Sequence, residues 1–210
     1  MRPSVKVFLI ALLLCVCCLA QNHNPYESSI EDNVYTNFFF RFHYSFTASW
    51  VAQPVDTAAE QLQKAGQARL GDDGKEGGAR KAGKSYYLLT LFRNLPGHGN
   101  TDRSQAIVSL VAEDVSSNPQ ITSSKDCVLK LAEHLKKAHY TPVGEPREIQ
   151  ISGRTFFRQD MKGTSSAGAP VYQSVVFTLT GGYAVGFTLI SPNQSILTNM
   201  VGTLKTTQFY

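Results

Sequence analysis

Hydrophobic positions along this chain change period several times, and each change marks an element. In the run FFFRFHYSF, Phe38, Phe40, Phe42, Tyr44 and Phe46 fall on alternate positions, with Arg41, His43 and Ser45 between them. That is the two-residue period of a strand with one buried face, and Trp50 closes the segment. Residues 86–92 (YYLLTLF) and 106–111 (AIVSLV) are continuous apolar runs of strand length, separated by the turn-forming stretch 94–102 (NLPGHGNTD). The last third predicts four more strands, over 147–151, 155–161, 171–179 and 183–190, divided by Gly153, by 163–170 and by Gly181-Gly182. A two-glycine link predicts that the final pair is an antiparallel hairpin.

Helical spacing occurs in two places. Over 123–138, Cys127, Leu131, Leu135 and Ala138, with Val128 and Ala132 beside them, form one apolar stripe, while Lys130, Glu133, Lys136 and Lys137 point away. Ser123 and Asp126 have the spacing of a capping box that satisfies free amides at the helix start. Near the end of the chain, Ser191-Pro192 supplies a cap and a first-turn proline. Ile196, Leu197, Met200, Val201 and Leu204 then recur at helical spacing. The order strands, helix, strands, helix predicts an α+β domain, a mostly antiparallel β-sheet flanked by helices as an α/β/α sandwich. Residues 56–70 are good helix formers with a weak apolar face, a marginal helix. Residues 71–84 hold five glycines, four basic and three acidic residues and no large apolar side chain, which predicts a mobile insertion.

The 210 residues, 42% of them hydrophobic and 17% charged, suffice for one sizeable core. At the N-terminus, Arg2 and Lys6 precede an apolar run from Val7 to Leu19 and then the small residues Cys18 and Ala20. This predicts a signal peptide over 1–20, cleaved after Ala20, because the run falls short of the roughly 20 residues needed to span a bilayer. A secreted or periplasmic protein follows, with a flexible leader over 21–34 and a single domain over 35–210. Cys15, Cys17 and Cys18 leave with the signal, so Cys127 alone remains and no internal disulfide is expected. Losing Arg2 and Lys6 lowers the formal charge from +4 to +2, too little to argue for nucleic acid.

Candidate chemistry changes this picture little. Residues 78–85, GARKAGKS, match the phosphate-loop pattern G-x-x-x-x-G-K-[ST]. A phosphate loop opens a helix, whereas Lys84 and Ser85 lead into YYLLTLF, a strand, so a solvated linker is expected. His134 and His139 are five apart, about 140° round a helix, and do not make the i, i+4 zinc pair. GTSSAG (163–168) has Ala167 where a nucleophile elbow needs glycine. Cys127 lies on the apolar stripe, the place of an inert thiol. Arg154, Arg158 and Asp160 share one strand face, either as an exposed ion-pair ladder or as an anion site formed by Arg154 and Arg158. Phe38, Phe40, Phe42, Tyr44, Phe46 and Trp50 form either a core face or the lining of an apolar-ligand cavity. No catalytic residue, cofactor or metal ligand is expected.

Several residues together resemble a known family. Tyr35-Thr36-Asn37 entering Phe42-x-Tyr44-x-Phe46 and Trp50, the 123–138 helix, and Gly153-Arg154 leading into 156–160 are among them. With Tyr172-Gln173-Ser174, the Gly182-Tyr183 turn into Val185-x-Phe187, and a closing helix with Leu204 and Phe209, the chain resembles the PsbP/Mog1-like superfamily over about residues 34–210. It departs from the family at Phe46-Thr47-Ala48-Ser49-Trp50, where a Tyr-Pro-x-Gly-Trp turn is usual, and in the long 56–84 insertion. The resemblance implies an antiparallel sheet between helices and a binding or accessory role. It carries over no binding residue. The expectation is therefore a non-catalytic domain that binds another protein or an envelope component; the alternative is a carrier of a small apolar ligand held between sheet and helix.

Overall fold

A computed structural model describes residues 24–53, 84–94, 105–165 and 168–210. The proposed signal segment, the marginal helix at 56–70, the insertion up to residue 83 and the loop 95–104 lie outside the described residues. Eleven strands and two helices are described. The strands are β1 (Ser28–Glu31), β2 (Val34–Asn37), β3 (Phe42–Ser45), β4 (Val51–Gln53), β5 (Ser85–Asn94), β6 (Gln105–Asp114), β7 (Thr141–Ile151), β8 (Arg154–Thr164), β9 (Pro170–Thr180), β10 (Tyr183–Ser191) and β11 (Gln208–Phe209). Helix α1 (Ser124–Lys137) lies between β6 and β7; α2 (Gln194–Thr203) follows β10 and ends in a 3-10 turn, Leu204–Thr206.

Every strand pairing is antiparallel. A seven-stranded sheet runs β4-β5-β6-β10-β9-β8-β7 and a four-stranded sheet runs β1-β2-β3-β11. The large sheet is covered on both faces. On one, α1 lies over β7, β8 and β9 and buries Cys127, Val128, Leu131, Ala132 and Leu135 with Met161, Val175 and Phe177. On the other, α2 and the small sheet bury Tyr35, Phe42, Tyr44, Leu197 and Met200 with Val108, Val176 and Phe187. The α+β architecture expected from the order of elements holds, with the small sheet joining α2 as the second covering layer.

Local sequence explains the joints. Gly181 and Gly182, at φ +57° and +82°, occupy the left-handed backbone region that a two-residue hairpin turn requires, and Thr180 pairs with Tyr183 across it. Helix α1 begins at Ser123, whose Oγ accepts from the Asp126 N–H, while Asp126 Oδ2 accepts from the Ser123 amide at 2.8 Å. The cap of α2 is Asn193, where the sequence pointed to Ser191. Asn193 Oδ1 accepts from the amides of Ser195 and Ile196, and Ser191 instead braces the Asn193 backbone.

Two other expectations are corrected. Residues 28–31, assigned to a flexible leader, form β1, because their backbone groups find partners on β2 in the register Ser28 to Asn37 and Ile30 to Tyr35. The alternating aromatic run is not one strand. Residues 38–41 are the turn between β2 and β3, and the run becomes a strand only from Phe42. Asn37 pairs with Phe42 across the turn, so the inward positions pass from odd (Tyr35, Asn37) to even (Phe42, Tyr44).

The outermost strand β7 contains Pro142 and Pro146, which lack the N–H that an added strand would need. Its register against β8 also slips between Val143 and Arg147, and most of its residues are exposed. Such features blunt a sheet edge against further pairing.

Four tests follow from this packing. A Cβ on Gly186 would collide with the Val176 carbonyl oxygen and come within 2.6 Å of the Phe177 ring, so Gly186→Ala should lose about 1–3 kcal/mol in denaturant unfolding. Gly202 in α2 has open space instead, and Gly202→Ala should gain about 0.5 kcal/mol in the same measurement. Hydrogen bonds from Ser123 and Thr122 hold the Asp126 carboxyl below its usual 3.8. Its folded-state value is depressed, so its stabilisation is fully present above 3.8 and disappears as pH falls through the lower folded value. The stability gap between the protein and Asp126→Ala, about 1 kcal/mol near neutrality, should therefore close only in strongly acidic solution. Burial, followed by the neighbouring Asp126 charge, pushes the Cys127 thiol up to about 12. Native protein should consume no aromatic disulfide reagent at pH 8, and denatured protein should consume one equivalent from this residue.

Candidate binding surface

The six aromatics singled out in the sequence separate into two groups. Phe40, Phe42, Tyr44 and Trp50 are buried, and Phe46 packs half-buried against them. Their faces meet other rings: Phe40 lies 5.3 Å from Tyr183, Phe42 5.8 Å from Phe209, and Tyr44 5.3 Å from Phe187. These side chains join the small sheet to the large one. The Tyr44 hydroxyl also meets Thr203 Oγ1 on α2 at 3.3 Å.

Phe38 is the exception, and Asn37 is the reason. The Asn37 side chain is fully buried at the end of β2. Its Nδ2 donates to the Pro25 carbonyl at 2.9 Å and to the Tyr35 hydroxyl at 3.1 Å, and its Oδ1 accepts the Phe40 N–H at 2.7 Å. With Asn37 fixed inward, the next side chain must face outward, and Phe38 is 49% exposed. Arg41 closes the same turn at φ +56°.

The outward positions form one surface. Thr36 pairs with His43 across β2 and β3, and His43 pairs with Gln208 across β3 and β11. The Thr36 hydroxyl and His43 Nδ1 are 2.9 Å apart, so the ring is held in place by its neighbour. On its other side His43 stacks on Tyr210, with centroids 4.7 Å apart and planes at 24°. The Arg41 guanidinium lies 5.6 Å from the Tyr210 centroid, and the Tyr210 N–H donates to the Arg41 carbonyl. Tyr210 remains 49% exposed. By alternation Phe38 and Arg41 continue the outward row of Thr36 and His43, so the face presents the half-exposed rings of Phe38 and Tyr210 together with a guanidinium and an imidazole. Tyr and Arg on a rigid element are the residue types that dominate protein-binding energy, because they offer large contact area with few rotatable bonds to order.

The basic candidates also separate. The Arg154 guanidinium sits 4.1 Å from the Phe209 centroid, stacked on that ring. Arg158 is joined instead to Asp160, Nε to Oδ1 at 2.8 Å, and Arg147 reaches the other Asp160 oxygen at 3.0 Å. Arg154 and Arg158 are thus engaged differently: of the two only Arg158 is ion-paired with Asp160, together with Arg147. Of the GARKAGKS stretch, residues 78–83 lie outside the described residues. Ser85 opens β5, and Lys84 Nζ lies 5.0 Å from the Tyr86 centroid. Among the described residues no cluster of three His, Cys, Asp or Glu side chains could hold a metal ion. No helix among them is long and apolar enough to cross a membrane.

Arg41, Tyr210 and Asn37 escaped the sequence reading. Arg41 is visible as the one charge interrupting an aromatic run. Tyr210 is 167 positions from His43, and no local pattern signals their contact.

Neither a protein-family model nor a curated protein sequence matches the chain. Solved structures do. Cyanobacterial PsbP (CyanoP) from Synechocystis sp. PCC 6803 superposes with a TM-score of 0.52 at 10% identity, covering 84% of this chain and 91% of that one. LpqN of Mycobacterium tuberculosis, a protein involved in cell envelope biogenesis, gives a TM-score of 0.47 at 10% identity, covering 80% and 82%. At 10% identity the likeness to CyanoP is one of backbone arrangement. The chain has the PsbP/Mog1-like fold.

Proposed function

We propose that this protein is a non-catalytic binding domain, exported to the periplasm or beyond, that docks another protein through the outer face of its small sheet. The carrying observation is the cluster of Phe38, Arg41, His43 and Tyr210. Phe38 and Tyr210 are each about half exposed, and both stand on backbone fixed from beneath by the buried Asn37 turn and by the β3–β11 pairing. Binding to such a surface requires little ordering of the protein itself, which favours affinity. Arg41 and His43 between the rings suit a partner that brings a carboxylate or carbonyl group flanked by apolar side chains. Export is supported by the N-terminal pattern of Arg2 and Lys6, apolar run and Ala20.

The test is cross-linking in the envelope fraction of the source organism, comparing the mature chain with a Phe38→Ala, Tyr210→Ala double variant. Both substitutions are on the surface, so stability should change by about 1 kcal/mol or less, checked by thermal unfolding. A protein captured by the parent chain should be lost from the variant, consistent with about 2 kcal/mol or more of binding energy at such anchors. An identical capture profile from an equally stable variant overturns this docking face. A profile in which only glycan or lipid depends on the two rings overturns the protein partner.

A further inference from the structure

A second polar constellation lies on β7, β8 and β9, on the sheet face that also carries α2. Arg158 is its centre. The side chain is only 12% exposed, and its Nε donates both to Asp160 Oδ1 at 2.8 Å and to Ser174 Oγ at 3.0 Å. These two acceptors share one proton and fix the plane of the guanidinium. Its two terminal amino groups carry four further N–H donors. Among the described residues they make no hydrogen bond, yet neither is sealed from solvent. A mostly buried cation with an anchored near edge and an open far edge presents donors that an incoming acceptor can use without reorganisation.

The neighbouring charges reinforce that edge. Arg147, directly across from Arg158 in the β7–β8 register, binds the second Asp160 oxygen at 3.0 Å. Lys162 lies on the same face of β8, two positions beyond Asp160 and about 7 Å further along the strand, with its Nζ 5.7 Å from the Tyr172 ring centroid. Two of these cations hold the one carboxylate and Lys162 lies further along the same face, so the three cations and Asp160 together carry a net charge of +2. That excess matches the charge of a phosphomonoester near neutral pH, about −1.5 to −2.

We propose that the open edge of Arg158, flanked by Arg147 and Lys162, is a binding site for a phosphomonoester group. Asp160 and Ser174 orient the guanidinium, and Arg147 and Lys162 supply the surrounding field. The phosphate can come free or as the headgroup of a lipid.

Calorimetric titration of the mature chain tests this with two probes, inorganic phosphate and dihexanoylphosphatidic acid kept below its micelle concentration. Saturable binding of at least one probe is expected, weakened about ten-fold or more in Arg158→Gln and weakened by added salt. Lipid binding tighter than phosphate by about ten-fold or more assigns the site to a headgroup, and equal affinities assign it to the free anion. Both outcomes support the site. Because Arg158→Gln leaves the half-buried Asp160 with one partner fewer, an Arg147→Gln, Lys162→Gln double variant is measured as well. Lys162 is exposed and the Arg147 side chain is 49% exposed, so this variant should fold and should bind several-fold more weakly. Absence of saturable binding of both probes up to about 10 mM overturns the proposal. So does binding that the folded double variant retains in full.

Discussion

The constraint on which this structure depends is the two-sided burial of its central strands. From Ala184 onward every residue of β10 is buried, as are residues 106–113 of β6 and 173–178 of β9. A strand covered on one face can alternate apolar and polar side chains; one covered on both cannot, and its sequence becomes a continuous apolar run. The covering layers have to be supplied from elsewhere in the chain. Helix α1 serves one face, and the other needs both α2 and the small sheet, because a ten-residue helix cannot cover strands of nine to eleven residues lying side by side. The aromatic density of residues 38–46 follows from this need. Short strands must fill a deep space, and rings do so with few residues.

Two-sided burial also determines where anything can bind. The middle of the large sheet is occupied, and among the described residues the two polar clusters reached from outside lie on the outward side of the small sheet and at the margin near β7 and β8. On the small sheet, side chains alternate between holding the two sheets together and facing solvent, and a single buried amide, that of Asn37, keeps the two sets in phase. At the margin, charges replace apolar residues as coverage by the helices ends. Arg158 marks that transition: its side chain is mostly buried and ion-paired with Asp160.

Much of the fold was legible in the sequence because its strongest signals are local. The stripe and capping box of α1, the paired glycines before β10 and the apolar runs of β5, β6 and β9 each need only a few neighbouring residues to be recognised. The reversal at residues 38–41 was hidden because the turn residues Phe38 and Phe40 extend the even-numbered aromatic set of Phe42 and Tyr44 backwards, although β2 buries odd-numbered positions. The β1 strand was hidden by polarity, since an edge strand of sequence SSIE has almost no buried face to betray it. The candidate surface was half legible. Phe38 stood in the aromatic set, but its outward direction follows from hydrogen bonds to Asn37, and Tyr210 reaches His43 only through a pairing between the two ends of the domain. Arg147 and Arg158 meet in the regular part of the β7–β8 hairpin, at the last pair before the register slips between Arg147 and Val143.

The proline-bearing edge strand has a consequence for how the protein lives with copies of itself. A chain whose described residues hold a single cysteine, and that one buried, has no described cross-link to restrain its periphery when neighbours press against it. Crowded sheets of this size grow by adding strands at an open end, and growth begins wherever a row of free amides is long and straight. Pro142 and Pro146 interrupt that row every few residues, and the slip between them bends what is left. The interruption is written into the covalent chain rather than into a contact, so it persists when the edge frays, when temperature rises and while the domain is still folding.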